Sequence, residues 1–250
     1  MISFPNAKIN LGLHVLEKRK DGFHTIESCF YPLDLCDALE IIPSHRFSFE
    51  SSGLSIPGES SDNLILKAYR LLGQYHDLPD VAIHLHKVIP MGAGLGGGSS
   101  DGAFALKMLN QLFSLGLTPI QLNALAAELG SDCPFFLKNE PSIATGKGTT
   151  LESIDLDLRG YRIELLYPEV HISTSEAYSL IKPRKKRLPL RNVLALPISQ
   201  WQGKLINDFE EPIMTRNPQI AEAKKKLLEK GAVYASMTGT GSAVFGLFKK

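Results

Sequence analysis

The chain of 250 residues has only three cysteines, Cys29, Cys36 and Cys133, with no C-x-x-C pair among them. That odd number excludes a disulfide framework and a thiolate zinc site, and fits reduced thiols in a cytoplasmic protein. An excess of one charge is also missing, since 27 basic and 26 acidic residues leave a formal net charge of +1. No global basic field is available to hold nucleic acid non-specifically. No apolar run is long enough to span a bilayer, and Lys8 and Asn10 interrupt the apolar N-terminus. Neither a membrane span nor a signal peptide is therefore expected. Repeats of fixed period are absent too. What is left is an ordinary globular composition, 44% hydrophobic and 21% charged, with a length that suits about one to two domains.

Glycine is what the chain has in abundance, concentrated in Pro90-Met-Gly-Ala-Gly-Leu-Gly-Gly-Gly-Ser-Ser-Asp101. The stretch lies between a strand-like run, 81–89, and a helix-like run, 102–113. Glycines allow positive φ and let a ligand approach the main chain. A helix starting at the serines aims its unpaired N–H groups and positive dipole end into the loop. Such a loop suits a phosphate. The neighbours of the glycines sort the known loop chemistries. Gly98 is followed by Ser99 and not by lysine, which excludes a Walker A loop. His45-Arg46-Phe47 and Asp208-Phe209-Glu210 do not amount to a protein-kinase signature. Gly92-Ala-Gly94-Leu-Gly-Gly97 does satisfy G-x-G-x-x-G. A dinucleotide fold, however, needs a strand ending in an acidic residue ~20 positions on, and 108–117 reads as helix end and loop. A nucleoside triphosphate outranks a dinucleotide.

Residues 7–16 alternate, with Ile9, Leu11, Leu13 and Val15 on one face and Lys8, Asn10, Gly12 and His14 on the other. Period two predicts a half-buried strand with Lys8 and Asn10 on its polar side. Asp21-Gly22 marks a turn and 23–30 the returning strand, followed by strands at 39–42 and 46–49. A helix is expected at 63–74, capped by Ser61 or Asp62, and another at 119–129 between Thr118 and Gly130. Patterning loosens at 153–159, which sets a domain boundary: 1–155 and 156–250. Beyond it come a strand at 161–167, a short helix opened by Ser173-Thr-Ser-Glu176, and a basic loop at 182–191. A helix at 218–230, capped by Asn217, and strands at 232–235 and 243–248 flank a second glycine loop, Thr238-Gly-Thr-Gly-Ser242. The mixed order of elements predicts α+β layers.

These motifs together resemble the GHMP kinases. Pro90-Met-Gly-Ala-Gly-Leu-Gly-Gly-Gly-Ser-Ser100 is similar to their P-x-x-x-G-L-G-S-S signature. Within that superfamily, Ala7-Lys8-Ile-Asn10-Leu, Asp21-Gly-Phe-His24-Thr and Leu129-Gly-Ser-Asp132-Cys-Pro134-Phe-Phe resemble motifs of the 4-diphosphocytidyl-2-C-methyl-D-erythritol kinases. Thr238-Gly-Thr-Gly-Ser242 resembles the third motif, and Asn207-Asp-Phe-Glu210 is a minor match. The motifs keep family order across nearly the whole chain. Phe23 stands where that family usually has tyrosine, and Gly102 where it usually has alanine. Relatives usually continue with a further helix and strand beyond the position of Lys250, so the resemblance implies either a shortened second domain or a missing C-terminus.

The implied fold is α+β in two domains, an N-terminal ribosomal-protein-S5-like ATP-binding domain and a C-terminal ferredoxin-like domain. The implied reaction moves the ATP γ-phosphoryl to a hydroxyl of a cytidine-diphosphate-linked polyol, with Mg²⁺. Pro90, Met91, Gly92, Ala93, Gly94, Leu95, Gly96, Gly97, Gly98, Ser99 and Ser100 wrap the triphosphate in this reading. Ser99 or Ser100 lies near Mg²⁺, and Lys87 reaches nucleotide or phosphate. Asp132 is the base that takes the hydroxyl proton, although by sequence alone Ser131 or Asp132 reads equally as a helix cap. Lys8 stabilises developing negative charge, and Asn10 orients the substrate. Phe23 stacks on the cytosine, His24 reads its edge through backbone or ring, and Tyr178 forms a second aromatic wall with Thr174 beside it. Thr238, Gly239 and Gly241 complete the substrate contacts.

Competing readings are a GHMP kinase with a mevalonate- or homoserine-type acceptor, and a nucleotide-responsive protein that has lost catalysis. The cytidylyl-branch motifs oppose the first, and the presence of both Lys8 and Asp132 opposes the second. His84 and His86 share a strand face but have no third ligand motif, so they read as solvent- or loop-facing. Lys182-Pro-Arg-Lys-Lys-Arg187 reads as a solvated loop, with a helper role at the diphosphate as the alternative, and Lys224-Lys-Lys226 reads as the wet face of its helix.

Overall fold

Strand β1 (Ile2–Ser3) leads into β2 (Asn6–Lys18), and β3 (His24–Cys36) returns beside it. The computed structural model describes residues 1–58, 60–184 and 188–250, so 185–187 of the expected basic loop lie outside the described residues. Next come β4 (Ala38–Pro43), β5 (Ser48–Gly53), α1 (Leu64–Gly73), β6 (Val81–Lys87), α2 (Gly97–Leu112), α3 (Pro119–Leu129) and α4 (Cys133–Lys138). The chain continues through β7 (Ser142–Gly146), β8 (Thr150–Ser153), β9 (Tyr161–Leu166), α5 (Thr174–Ser179) and α6 (Leu190–Leu194). It closes with α7 (Glu210–Arg216), α8 (Pro218–Glu229), β10 (Tyr234–Met237) and β11 (Val244–Lys249). Mixed strands and helices make an α+β fold, as the element order predicts.

Two compact units divide the chain. The first comprises Met1–Lys8, Pro32–Met91 and Gly96–Asn139. Its sheet runs β1-β4-β6-β5, with β5 parallel to β6 and the other pairs antiparallel. Residues Ile83 and Leu85 of β6 and Leu39 and Ile41 of β4 are buried, as are Ala105, Leu106 and Leu109 of α2. Alternation in β6 is clean, and its polar residues His84 and His86 are exposed, bridged by the Ser52 hydroxyl at 3.1 and 2.9 Å. The second unit comprises Ile9–Tyr31, Gly92–Leu95 and Glu140–Lys250. It holds an antiparallel sheet β10-β11-β9, with α8 packed on β11 and β10. Leu13, Ile26, Ala177, Phe209, Ile220, Leu227 and Met237 meet in its core.

Three expectations need correction. Strand β2 is not half-buried, because Lys8, Asn10 and His14 are only 3%, 2% and 3% exposed. Burial of polar groups is tolerated when they find partners, and a pattern of period two cannot show partners distant in sequence. Helix α1 is capped by Asn63, whose side chain accepts the Ile65 N–H at 2.9 Å, and not by Ser61 or Asp62. Helix α2 begins at Gly97, not at Gly102. Low intrinsic propensity argues against glycine in a helix, but packing overrides it here. A Cβ at Gly97 would stand 2.9 Å from Ile89 Cγ2 and 3.0 Å from Lys87 Nζ, so only glycine fits that first turn. The caps of α3 match expectation, with Thr118 and Gln121 forming a capping box.

Candidate active site

In the first unit, Lys8 and Asp132 meet, with Nζ 3.4 Å from Oδ2. Their side chains are 4% and 33% exposed, so the ammonium is desolvated while the carboxylate keeps an open side. Asp132 occupies the position before α4, yet its side chain makes no capping hydrogen bond. The helix-cap alternative for this residue thus fails on geometry. The Lys8 stem lies along the glycine loop, because a Cβ at Gly96 would come within 3.1 Å of Lys8 Cε and 2.9 Å of Phe136 Cζ. Gly96 also has φ of +72°, a left-handed conformation that favours glycine. Ser100 donates its N–H to Gly96 O at 2.9 Å, starting the helical ladder directly after the loop. Ser99 bonds the Cys133 thiol, and burial pushes that thiol up to about 12, so Cys133 stays protonated and is no nucleophile.

Lys87 sits beneath the same loop, 1% exposed, with its ammonium donating to Asp37 Oδ2 and, at 2.8 Å, to Asp101 Oδ2. The sequence gives no sign of either partner. Burial pushes the Asp101 carboxyl up to about 7, against the pull of Lys87 and with the help of the Asp37 charge. An acid whose folded value exceeds its unfolded value of 3.8 binds a proton in the fold that the unfolded chain has already released. Its contribution to stability is therefore largest in acid and declines as pH rises from about 4 to about 7. Asp101→Asn should remove that decline, so the melting-temperature gap between variant and parent should widen in the variant's favour from pH 5 to 8. A constant gap in calorimetry over that range would contradict the raised value.

In the second unit, the remainder of the glycine loop, Gly92–Leu95, packs backbone to backbone on the second glycine loop. A Cβ at Gly94 would stand 2.1 Å from Thr238 O, and one at Gly239 would stand 3.0 Å from Gly94 Cα. Ala243 donates its N–H to Ala93 O at 3.1 Å. Ala93 and Leu95 are buried, whereas Gly92 is exposed, so this part of the loop anchors through its side chains. Thr238, fully buried, accepts the Asn10 N–H at 3.0 Å, and its hydroxyl faces Asn10 Oδ1 at 3.2 Å and Gly94 O at 3.1 Å. Asn10 also donates from Nδ2 to Ser28 Oγ at 2.8 Å. Gly94→Ala should destabilise the fold by about 2–4 kcal/mol, since positive φ and a backbone clash coincide. A urea midpoint unchanged from the parent would refute this packing.

Phe23 is 53% exposed, and the Lys147 ammonium lies over its ring, 4.2 Å from the centroid. A core role for Phe23 is thereby excluded. Asp21 orders the turn by accepting the Phe23 N–H at 3.2 Å and pairing with Lys147. His24 stacks on Tyr178 with centroids 4.7 Å apart and planes inclined by 24°. Burial, and then the charge of Lys18, hold the His24 imidazole below its usual value, so it is neutral at pH 7. Tyr178 rests edge-on against buried Phe209. Thr174 is the exposed first residue of α5, whose N-cap Ser173 accepts the Glu176 N–H at 3.1 Å.

Several supporting residues escaped the sequence reading. Asn207, buried, donates from Nδ2 to Met237 O and Gly239 O, both at 2.9 Å, and so holds the second glycine loop. Glu210 accepts the Met237 N–H at 2.7 Å and pairs with Lys224. The minor motif Asn207-Asp-Phe-Glu210 was the available signal for both. Asp37, Asp101 and Lys147 carried none.

The family model for the GHMP kinases N terminal domain matches residues 63–140, and that for GHMP kinases C terminal matches 195–250. The chain belongs to the GHMP kinases. A protein of Azobacteroides pseudotrichonymphae named 4-diphosphocytidyl-2-C-methyl-D-erythritol kinase is 50% identical, over 100% of this chain and 94% of its own length. One of the same name from Parabacteroides distasonis is 48% identical, over 100% and 92%. A crystal structure of a 4-(cytidine 5'-diphospho)-2C-methyl-D-erythritol kinase superposes with a TM-score of 0.83 at 32% identity, covering 99% of this chain and 90% of that one. This GHMP kinase is therefore an ATP-dependent small-molecule kinase with the two-domain α+β fold of its family. Among the described residues, no helix is long and apolar enough to cross a membrane.

Proposed function

We propose that this kinase transfers the γ-phosphoryl of ATP to the 2-hydroxyl of 4-diphosphocytidyl-2-C-methyl-D-erythritol, in isoprenoid biosynthesis by the non-mevalonate route. The observation that carries the chemistry is the Lys8–Asp132 pair, with the lysine stem lying on Gly96. Phosphoryl transfer is mostly positioning and charge stabilisation. Asp132 takes the hydroxyl proton, Lys8 faces the charge that develops, and the loop 90–100 holds the triphosphate by backbone N–H groups. Asn10, Thr174, Thr238, Gly239 and Gly241 position the acceptor, while Phe23, His24 and Tyr178 bind its cytosine. The domains in this reading are 1–155 for ATP and 156–250 for the C-terminal half, and the protein works in the cytoplasm.

Such a reaction implies Mg²⁺. Ser100 Oγ is fully buried and has no hydrogen-bond partner among the described residues. Mg²⁺ keeps water and phosphate oxygens and takes one or two protein oxygens, so this hydroxyl fits. Ser100 would hold the cation, which when bound neutralises charge on the phosphates.

The deciding experiment incubates the protein with ATP, Mg²⁺ and the diphosphocytidyl substrate and reads ADP release. Mevalonate, homoserine and the polyol phosphate without cytidine serve as competing acceptors. Comparable turnover of any of these would defeat the cytidylyl reading. Phe23→Ala should raise KM for the cytidylyl substrate roughly ten- to a hundred-fold, because base stacking is worth about 1–3 kcal/mol. KM for ATP should hardly move, and Phe23→Tyr should behave like the parent. Equal damage to both substrates would remove Phe23 from the cytosine site.

A further inference from the structure

The glycine loop is held from below by an unusual knot of charge. Asp37, in the link between β3 and β4, is 1% exposed. Its Oδ1 accepts the N–H groups of Val88 and Ile89, at 2.6 and 2.8 Å. Those are the last two residues before Pro90, at the exit of β6. Asp37 Oδ2 accepts from the Lys87 ammonium, which reaches on to Asp101 Oδ2 in the second turn of α2. The same ammonium lies 3.0 Å from where a Cβ of Gly97 would stand. One carboxylate thus fixes the strand that enters the loop, and the lysine ties that strand to the helix that leaves it.

We propose that Asp37, Lys87 and Asp101 are positioning residues for ATP, a buried tether that sets the spacing of the two ends of the glycine loop. Lys87 acts from beneath the loop and not as a cation on the phosphates. Both of its carboxylate partners are 3% exposed or less, so the ammonium is committed before any nucleotide arrives. Desolvated groups in a paired network keep one geometry, because releasing any member leaves a buried charge uncompensated. The loop is therefore pre-set, and its N–H groups meet the triphosphate without reorganisation. This inference rests on the proposed placement of ATP at residues 90–100.

The test is steady-state kinetics of Asp37→Asn, Lys87→Met and the double variant, with KM read separately for ATP and for the acceptor. The tether predicts that each single variant raises KM for ATP by roughly tenfold or more, leaves acceptor KM unchanged, and that the double variant is no worse than either. A lysine acting directly on phosphate predicts a different pattern. Lys87→Met alone would then weaken ATP, while Asp37→Asn would spare or improve it by freeing the ammonium. That second pattern overturns the proposal, as does a loss of active protein with both KM values intact. Amide exchange on the parent protein gives a check that needs no variant. Val88 and Ile89 should exchange as slowly as the amides of β6 before nucleotide is added. Fast exchange that slows only with ATP would also overturn it. If the parent protein binds no ATP by calorimetry, the placement of ATP fails and the tether falls with it. Binding that is indifferent to Asp37→Asn removes the tether alone.

Discussion

Asp132→Asn should bind ATP like the parent protein and lose turnover by about 10²–10⁴-fold, the range a positioned general base supplies. The substitution keeps the shape of the side chain and one acceptor oxygen, so the Lys8 ammonium retains a partner. It removes the ability to take a proton. Because Asp132 makes no capping hydrogen bond to α4, the loss cannot be credited to an unravelled helix start. The 33% exposure of its side chain leaves the carboxylate reachable by an acceptor hydroxyl. Rapid-quench turnover beside calorimetric ATP binding makes the comparison. Near-parental turnover with normal binding would strip Asp132 of its role and leave positioning by the loop as the source of catalysis.

Lys8→Met should lower kcat by about 10²–10³-fold, with only a modest change in ATP affinity. That magnitude is typical of removing one preorganised charge stabiliser. Methionine keeps the stem that lies on Gly96, so the loop keeps its packing. What disappears is the charge 3.4 Å from Asp132 Oδ2. An interaction made chiefly in the transition state lowers kcat and kcat/KM together. A variant whose defect lay only in ATP KM would move Lys8 to the nucleotide side. The side chain is almost wholly buried, so circular dichroism and a melting curve belong beside the kinetics.

Much of the proposed phosphate site could be read from the chain because its chemistry is local. Glycines followed by serines fill twelve consecutive residues, directly after a strand-like run. Motif order added Lys8 and Asp132, which no periodicity could have singled out. The burial of those residues was not legible. The alternation of 7–16 marks Lys8 and Asn10 as the polar face, and a polar face normally meets water. Here Asn10 instead finds Thr238, 228 positions away, and Asn139 finds Asn6 across 133. The start of α2 was misplaced for a related reason. Propensity argues against Gly97 and Gly98 in a helix, while the close approach of Ile89 and Lys87 requires the absence of a side chain at Gly97.

The sequence alone determined the α+β class, the family and the glycine loop, and it singled out Lys8 and Asp132 as the pair proposed to react. These follow from residue type, spacing and motif order, all of which survive in one dimension. The tertiary structure decided which groups are paired and which are left open. It turned Lys87 toward Asp37 and Asp101, stacked His24 on Tyr178, left Phe23 exposed and freed the Asp132 carboxylate from its helix. The physical reason is that partner choice depends on burial and on contacts between distant segments. A charged side chain pays no heed to its neighbours in sequence once water has been removed around it, and takes whichever counter-charge the fold brings within reach.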